Sequence, residues 1–491
     1  MKKREELREI LCQKIKDYSN TLWKPINIIK TPKETNSWFQ INEGKNKEKI
    51  IERTYNHDTE ELKEVKYRCK KKVLLPTEMQ KKVLLSWMNS YAKMYNATLK
   101  FIKSKLYTAK KQRKSENIEF QKEKEKNNIE YENIIKKYNM KGKEPPKKKR
   151  LFKKIKITLN FKRIRTIYML KAKDEIQKIS GIDSKMKIHG HILDCAIQDV
   201  CTAYKTAFTN MRNGYIKRFR IRYLKESKGR KFLRMEQSEF SKSHKTFCVS
   251  GLGETVKTTE NNEEPYKDVK CGGTIVYDEN DNRFTLYVPI EEGRKILNKN
   301  KGNSVAMDCG VKTFQVGYSE SKIIEISPHL RETMKKYLKN IDSIEQSQLS
   351  DGKKKRATNK RYKYIKNCIN DLHWKSIKYL TDNFETIQIG NLSTKAICKK
   401  EGKLDKMTKR VAILMSLYVF KERLKYKCYL KCCKYKEINE CYTSKTCTLC
   451  GYIKKDLGNA RVFECNKCYA NIERDINGAR NIYMLGILEE K

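Results

Sequence analysis

Four cysteines near the C-terminus have the spacing of metal ligands. Cys447 and Cys450 form one Cys-x-x-Cys pair, and Cys465 and Cys468 form a second pair further along the chain. Two pairs of thiolates at this spacing close a tetrahedral Zn²⁺ site, and four sulfurs leave no coordination position for a substrate. The pattern predicts a structural zinc ribbon. Acidic segments flank the ribbon, with Glu440 before it and Asp475 after it, so we expect carboxylates to supply the chemistry, as in a nuclease.

A third acid, Asp308, ends an apolar run and is followed by the turn glycine Gly310. The run predicts a strand, and the alternating residues after it predict a return strand and then a third strand (Phe314, Val316, Tyr318; Ile323, Ile324, Ile326). A β-meander with an aspartate at the end of its first strand is how ribonuclease H-like domains open. The aspartate would project where a divalent ion can join it to a phosphate.

Further elements must follow this meander to complete the sheet. The pattern predicts helices over roughly 333–382 and a strand over 386–390. Apolar residues three and four apart predict one helix after that strand (Leu404, Met407, Val411, Leu414, Tyr418). We expect the last helix to begin at Asp475, which would serve as its N-cap, as a metal ligand, or as both.

The N-terminal half has its own elements. A strand over 72–75 is stopped by Pro76, and Thr77 with Gln80 forms a capping box that starts a helix. One face of that helix is apolar and is predicted to be core (Val83, Trp87, Tyr91, Met94, Tyr95, Leu99). A second amphipathic helix spans 189–211, and we interpret His189 and His191 at its start as structural, because an isolated histidine pair is more often structural than metal-binding.

Basic residues recur in patterns that suit nucleic acid. Arg218, Arg220 and Arg222 alternate with apolar residues, which predicts a strand with three guanidinium groups on one face. Residues 103–165 are dominated by lysine and form either a solvated face or a track for a nucleic-acid backbone; we favour the track. The cluster 145–150 has the composition of a nuclear import signal, although such clusters arise by chance in so basic a chain.

The overall charge points the same way. The 491 residues include 110 Lys and Arg against 59 Asp and Glu, a formal charge of +51. Such a surface repels itself unless a polyanion neutralises it, so we expect a nucleic-acid partner. No apolar run is long enough to span a membrane, and the first residues lack the apolar core of a signal peptide. We therefore expect an intracellular protein, nuclear in a eukaryotic host, whose other cysteines are reduced.

Taken together, these motifs resemble the TnpB superfamily of transposon-encoded RNA-guided nucleases, relatives of the type V CRISPR effectors. The resemblance rests on 308–311, on 442–447, on the four cysteines and on 474–482; it is dense over 303–487, looser over 67–290 and absent over 1–66. One position departs from the bacterial pattern, because Gly390 and Asn391 stand where a catalytic carboxylate is usual. Glu440 compensates, on a strand expected to neighbour that of Asp308. This relocation resembles Fanzor proteins, the eukaryotic and giant-virus branch.

The resemblance implies an α/β multidomain fold. It has a RuvC (ribonuclease H-like) nuclease lobe with an inserted zinc ribbon, and an N-terminal lobe made of a β-barrel-like wedge domain and a helical recognition domain. The implied boundaries are 1–66 (extension), 67–105 (wedge with first helix), 106–211 (recognition), 212–300 (wedge), 301–441 (RuvC), 442–472 (zinc ribbon and target-binding insertion) and 473–491 (RuvC helix). We interpret 1–66 as an appendage that Trp23, Trp38 and Phe39 dock onto the body.

The resemblance also implies the activity. An RNA-guided DNA endonuclease would use Asp308, Glu440 and Asp475 to hold two Mg²⁺, with Asp308 bridging both, while Glu437 is the rival to Glu440. The partners would be a guide RNA of the omega type, one protein per RNA, and double-stranded target DNA. Arg474 and Arg480 would contact phosphate or form structural ion pairs. One alternative is a guided or plain DNA-binding protein whose nuclease has decayed, as the residue at 390 suggests; a zinc-ribbon transcription factor ranks last.

Overall fold

The structure is a computed structural model, and it describes residues 2–18, 23, 38–48, 67–140, 163–181, 183–225, 229–260, 264–267, 269–292, 303–392, 394, 398, 405–458 and 460–487. The chain divides into two compact units. The first consists of 1–65 with 292–491, and the second of 66–291. Within the described residues, no helix is long and apolar enough to cross a membrane. The basic cluster 145–150 lies outside the described residues.

The α-helices of the described residues are α1 (Lys2–Tyr18), α2 (Glu78–Asn139), α3 (Leu170–Lys178), α4 (Gly190–Arg212), α5 (Val249–Leu252), α6 (Leu330–Gln346), α7 (Asp351–Asn383), α8 (Lys406–Met415), α9 (Leu417–Leu430) and α10 (Arg474–Ile487). The strands are β1 (Ile41–Lys45), β2 (Tyr67–Leu75), β3 (Arg230–Met235), β4 (Lys257–Thr258), β5 (Gly273–Asp278), β6 (Arg283–Glu291), β7 (Ser304–Cys309), β8 (Gln315–Tyr318), β9 (Lys322–Ile326), β10 (Thr386–Gly390), β11 (Lys434–Ile438), β12 (Val462–Glu464) and β13 (Asn471–Glu473).

The first unit is built on a six-stranded sheet in the order β1-β9-β8-β7-β10-β11. Strands β7, β8 and β9 form the predicted antiparallel meander, and β10 and β11 run parallel to β7. Successive side chains alternate between the two faces of a strand, and both faces here are apolar. Val305 and Met307 pack in a core with α6 to α9, whereas Ala306 packs in a second core with α1 and α10. The sheet is therefore covered on both sides.

The described part of the N-terminal segment belongs to this unit, so our interpretation of 1–66 as an appendage is wrong for residues 38–48. Strand β1 pairs antiparallel with β9 and extends the sheet at its edge. Trp23, Trp38 and Phe39 are buried, as the docking prediction required. The sequence did not reveal the strand because β1 (Ile41-Asn-Glu-Gly-Lys45) is short and mostly polar, so its place depends on the neighbouring strand rather than on its own pattern.

The second unit combines a five-stranded antiparallel sheet, in the order β3-β5-β6-β2-β4, with the helices α2 and α4. The predicted capping box is present: the Gln80 backbone N–H donates to Thr77 Oγ1, and the Thr77 backbone N–H donates to Gln80 Oε1. Trp87 and Tyr91 on α2 are buried in one core with Leu193 and Ile197 on α4. The predicted apolar faces of both helices are confirmed.

The predicted strand of alternating arginines does not form. Residues 218–225 belong to no sheet, and Asn96 of α2 holds the segment, because its side chain bonds both the N–H and the C=O of Leu224. The alternation holds only in part: Arg218, Arg220 and Arg222 are exposed and Phe219 and Ile221 are half-buried, but Tyr223 is also exposed. Alternating polarity indicates which side of a segment is exposed to solvent. It does not show that a neighbouring strand is available for backbone hydrogen bonds.

The helix predicted from the spacing of Leu404 to Tyr418 is two helices. Ser416 takes a left-handed conformation, with φ of 50°, and separates α8 from α9. Tyr418 is 69% exposed rather than buried, because the break rotates it off the apolar face. Leu404 lies outside the described residues. Apolar spacing of three and four continued across the break, so periodicity alone could not locate it.

Candidate active site and metal centre

The four cysteines predicted to bind zinc lie together. All four sulfur atoms are within 4.8 Å of one another, with 3.6 Å between the sulfurs of Cys447 and Cys468 and 3.5 Å between those of Cys450 and Cys465. Ligands about 2.3 Å from a tetrahedral Zn²⁺ would be separated by roughly 3.8 Å. The donor set and its spacing therefore fit a zinc ion held by four thiolates.

Local backbone geometry brings the two cysteine pairs together. Gly451 follows the first pair with φ of +73°, a conformation that favours glycine, and the N–H of Cys447 donates to the carbonyl of Tyr452. The second pair lies in the turn of the hairpin formed by β12 and β13. Phe463 of this hairpin is buried beside the cysteines with Leu457, so the ribbon has a small apolar core of its own.

Helix α10 holds the start of the ribbon through buried polar side chains. The side-chain amide of Asn477 donates to the carbonyl of Thr446, and its Oδ1 accepts from the N–H of Thr448. Asn481 donates to the carbonyls of Thr443 and Thr446. These contacts explain why the segments 442–447 and 474–482 occur together. Neither asparagine was predicted to be functional; their spacing of four, about one helical turn, was the available signal.

Arg480 is a structural residue, and its prediction as a nucleic-acid contact is wrong. Its side chain is fully buried and paired with Glu48, whose Oε2 accepts from Nε at 3.0 Å. The guanidinium also donates to Thr448 and lies over the ring of Trp23 at 4.7 Å. With no access to solvent, it cannot reach a phosphate. The prediction failed because the partner, Glu48, is distant along the chain.

The three predicted catalytic acids come from three elements of the first unit. Asp308 is near the carboxyl end of β7, Glu440 follows β11 by two residues, and Asp475 is in the first turn of α10. Because β7, β10 and β11 are parallel, their carboxyl ends meet at one edge of the sheet. All three side chains are half-buried there.

Glu440 occupies the space that a side chain at position 390 would take. A Cβ added to Gly390 would lie 1.9 Å from Oε1 of Glu440, and the same oxygen accepts from the N–H of Leu392 at 3.0 Å. The expectation that Glu440 lies on a strand next to that of Asp308 is wrong, since β10 separates β7 from β11. The carboxylate instead reaches over the end of β10, where glycine leaves room for it.

A second glycine makes room for Asp308. A Cβ at Gly478, one turn after Asp475 on α10, would lie 2.5 Å from Oδ2 of Asp308. The aspartate therefore approaches the helix backbone closely, beside the turn that carries Asp475. The sequence analysis did not identify Gly390 or Gly478 as necessary to the site, because the contacts that require them join distant segments.

The pKa of Asp308 shows that the acids act on one another. Burial raises the pKa of Asp308 well above its usual range, and the charges of Glu440 and then Asp475 raise it further, while Arg474 opposes them. Burial also raises the pKa of Glu440 and that of Asp475. Charges crowded in this way are stabilised by a cation. Hard carboxylate oxygens suit a divalent ion such as Mg²⁺.

The carboxylates are less tightly grouped than the cysteines. Among the described residues, ligand atoms within 4.8 Å of one another occur in the four-cysteine centre and in a His–Glu–Cys group of the second unit, but the three acids do not form such a group. To bind a single ion together, the three carboxylates would have to move closer to one another. Two ions about 4 Å apart need one central carboxylate with ligands on either side. Besides burial, the charges of both Glu440 and Asp475 raise the pKa of Asp308.

The remaining predicted residues have distinct surroundings. Glu437, the rival to Glu440, is exposed on β11, and its Oε1 is 2.5 Å from Nζ of Lys421. Arg474 donates to the carbonyl of Gly458 at 3.2 Å and is half-buried, and its charge lowers the pKa of Asp308 and of Asp475. It is therefore close enough to the acids to interact with them.

The fold and site define a two-unit α/β protein whose first unit contains four clustered cysteines and three half-buried carboxylates. The family model for the Cas12f1-like TNB domain matches residues 418–482. Two relatives from Acanthamoeba polyphaga mimivirus are similar to the chain: TnpB-like protein L79 (28% identical; 96% of this chain and 87% of the relative) and TnpB-like protein R854 (29%; 94% and 84%). A solved structure, the Cas12f1-sgRNA-target DNA complex, aligns with a TM-score of 0.38 and 12% identity over 85% of this chain and 98% of that one.

The resemblance predicted from the sequence is confirmed. Similarity to TnpB-like proteins of a giant virus extends over most of the chain, and the matched TNB domain contains the four cysteines. The chain fits a TnpB/Fanzor-type protein.

Proposed function

We propose that the protein is an RNA-guided DNA endonuclease whose first unit contains a RuvC, ribonuclease H-like nuclease. The observation that carries the proposal is the meeting of Asp308, Glu440 and Asp475 at one sheet edge, with the pKa of Asp308 raised by the other two. The sheet order supports it, because a three-stranded meander followed by two strands parallel to its first strand is the ribonuclease H-like arrangement.

Each acid has a role in this proposal. Asp308, Glu440 and Asp475 would hold Mg²⁺, with Asp308 as the ligand shared between the other two. Bound Mg²⁺ would supply an activated water for attack and stabilisation of the departing 3′ oxygen. Gly390 and Gly478 admit the carboxylates, and the N–H of Leu392 orients that of Glu440. The zinc ribbon takes no part in the reaction, because four thiolates would occupy every coordination position of its metal ion. Its role would be to shape the nuclease lobe and to border the target strand.

The partners follow from charge and from the family resemblance. A formal charge of +51 suits a partner with many phosphates. We infer a guide RNA of the omega type, one protein per RNA, that pairs with one strand of target DNA beside a short flanking motif. The domain roles are part of the proposal: wedge (67–105 and 212–300), recognition (106–211), nuclease (301–441 and 473–491) and target binding (442–472). The exposed arginines Arg218, Arg220 and Arg222 would contact phosphates.

The proposal is tested with the ribonucleoprotein. The protein is expressed with the flanking sequence of its own gene, the co-purifying RNA is sequenced, and DNA matched to that RNA is incubated with the complex and Mg²⁺. We expect cleavage that EDTA abolishes. Glu440→Gln should lower the cleavage rate by about 100-fold or more, since even residues that merely support metal ligands cost 10–100-fold.

Glu437→Gln is the matched control. It removes the same charge three residues away, from an exposed side chain paired with Lys421, and should leave cleavage near the wild-type rate. Equal cleavage by Glu440→Gln and wild type would show that Glu440 is not a ligand. Matched DNA that is bound and left intact under all Mg²⁺ conditions would instead support the decayed, binding-only alternative.

A further inference from the structure

Three potential metal ligands lie together in the second unit, away from the four cysteines. His189 precedes α4, Glu239 is in the short 3₁₀ turn Gln237–Glu239, and Cys248 precedes α5. One ligand atom from each lies within 4.8 Å of the other two. We interpreted His189 as structural from the sequence, but folding brings the acid Glu239 and the cysteine Cys248 next to it.

The group is compact, with two of its members buried and His189 partly exposed. The sulfur of Cys248 is 3.3 Å from Oε2 of Glu239, and Nδ1 of His189 contacts the same oxygen. Glu239 is 7% exposed and Cys248 is 3% exposed. A buried carboxylate needs a positive partner, and without a metal ion a protonated His189 is that partner of Glu239. A divalent cation would replace the proton of His189, balance the carboxylate together with a thiolate, and leave the imidazole neutral.

The surrounding contacts hold each ligand in position. Oγ of Ser250 is 2.7 Å from Nε2 of His189, which leaves Nδ1 directed at the group, as an outer hydrogen bond does for a metal-bound histidine. The N–H of Cys248 donates to the carbonyl of Glu239 at 2.8 Å. Cys248 also has φ of 47°, a left-handed conformation that is unfavourable for a residue other than glycine. The local structure therefore maintains a strained backbone that places the sulfur beside the carboxylate.

We propose that His189, Glu239 and Cys248 bind a second zinc ion, which clamps the segment 237–252 to the start of α4. One nitrogen, one oxygen and one sulfur donor make a borderline set that suits Zn²⁺ rather than Mg²⁺ or Ca²⁺. No fourth such side chain lies in the group among the described residues, so water takes the fourth position. The site differs from the four-cysteine centre in having a replaceable ligand and one thiolate.

The zinc content of the full-length protein tests the proposal. Protein purified from zinc-supplemented medium, desalted without chelator, should contain two zinc atoms per chain by elemental mass spectrometry. Cys248→Ser and His189→Gln should each contain one. Cys201→Ser, which changes another buried cysteine of the same unit that is outside the group, should keep two. Cys465→Ser, which breaks the other centre, should also lower the content by one.

Substitution of one metal-binding residue by another distinguishes a zinc site from a histidine–glutamate ion pair. His189→Cys replaces one zinc ligand by another, so it should restore two zinc atoms per chain, whereas a thiol cannot reproduce a histidine–glutamate ion pair. With Co²⁺ in place of zinc, this variant should also gain thiolate-to-metal absorption over wild type. One zinc atom in the wild-type chain, or two in Cys248→Ser, would overturn the proposal. The wild-type content decides the matter even where a variant does not fold.

Discussion

Residue 390 and Glu440 depend on each other sterically. The sequence resemblance predicts a carboxylate directly after the strand 386–390, where this chain has Gly390. In the structure the carboxylate of Glu440, from beyond the next strand, lies over that position, and it fits because Gly390 has no side chain. The proposed active site therefore depends on glycine at position 390.

Gly390→Ala should impair catalysis with little effect on folding. The added Cβ would lie 1.9 Å from Oε1 of Glu440, so the carboxylate must move by an ångström or more. A displacement of that size costs about 10–100-fold in cleavage rate. Gly352→Ala is the control, since a Cβ there meets nothing within 4 Å. Wild-type cleavage by the Gly390→Ala complex would show that the carboxylate position is not critical.

Asp308→Asn should stabilise the metal-free protein at neutral pH. The pKa of Asp308 in the folded state is raised by burial, Glu440 and Asp475 above its ordinary value of 3.8. For an acid with a raised pKa, folding stability is lost as pH rises from the ordinary value through the raised one. The Tm of Asp308→Asn should therefore exceed that of wild type at pH 7, and the difference should disappear below about pH 3.8.

Mg²⁺ provides the complementary measurement on Asp308. A ligand that binds only the folded state raises stability, so Mg²⁺ should raise the Tm of wild type more than that of Asp308→Asn. Equal shifts for the two proteins, or a less stable Asp308→Asn at pH 7 without metal, would contradict the assignment of Asp308 as the central ligand.

At the scale of elements, Glu48 and Arg480 join the N-terminal segment to α10. Both side chains are fully buried or nearly so, with 1% and 0% exposure. Taking two charges out of water is costly, so a buried pair is weak evidence of stability by itself, but removing one partner leaves a buried charge uncompensated. The segment 38–48 is thus bound to the rest of the first unit by its strand and by an ion pair.

Glu48→Gln should lower the free energy of unfolding by about 3–5 kcal/mol, the usual cost of leaving one buried charge unpaired. The measurement is urea denaturation of the full-length protein, with unfolding monitored by circular dichroism. Asp371→Asn, which breaks an exposed i,i+4 pair with Lys375 in the same unit, is the control and should cost about 0.5 kcal/mol or less. Similar losses in both variants would show that burial of the Glu48–Arg480 pair is unimportant.

Most elements were predictable because their signals are local. The capping box at Thr77, the meander after Asp308 and the start of α10 each depend on residues close together in sequence. The errors have a common cause. The segment 218–222 alternates without a pairing partner, and β1 pairs without alternating, so strand pairing was decided by neighbours that the local pattern does not contain.

At the scale of the whole molecule, charge dominates. Even if every acidic residue were paired with a basic one, the chain would keep its formal charge of +51. Arg218, Arg220 and Arg222 are among the exposed basic residues. Binding to a nucleic acid should therefore weaken steeply as the salt concentration rises, because the release of counterions on binding then yields a smaller gain in entropy. The three arginines are held at the surface by half-buried neighbours, which favours contact with a phosphate backbone over base recognition.

Replacing Arg218, Arg220 and Arg222 together by alanine should weaken RNA binding and flatten its salt dependence. Each lost phosphate contact should reduce the slope of log affinity against log salt by about 0.7–0.9. Replacement of the same three residues by lysine keeps the charges and should keep most of the slope. The measurement is a salt titration of binding by fluorescence anisotropy; an unchanged slope in the alanine variant would exclude these residues from the interface.

The sequence by itself determined the chemistry of the side chains and the local elements: four thiolates at zinc spacing, an aspartate at a strand end, and amphipathic helices with their caps. Only the tertiary structure decided that Glu440 fills the space over Gly390, that Arg480 is buried against Glu48, and that His189 meets Glu239 and Cys248. The physical reason is distance along the chain. Spacing and periodicity report neighbours within one element, whereas these contacts form only when strands and helices from distant segments pack together.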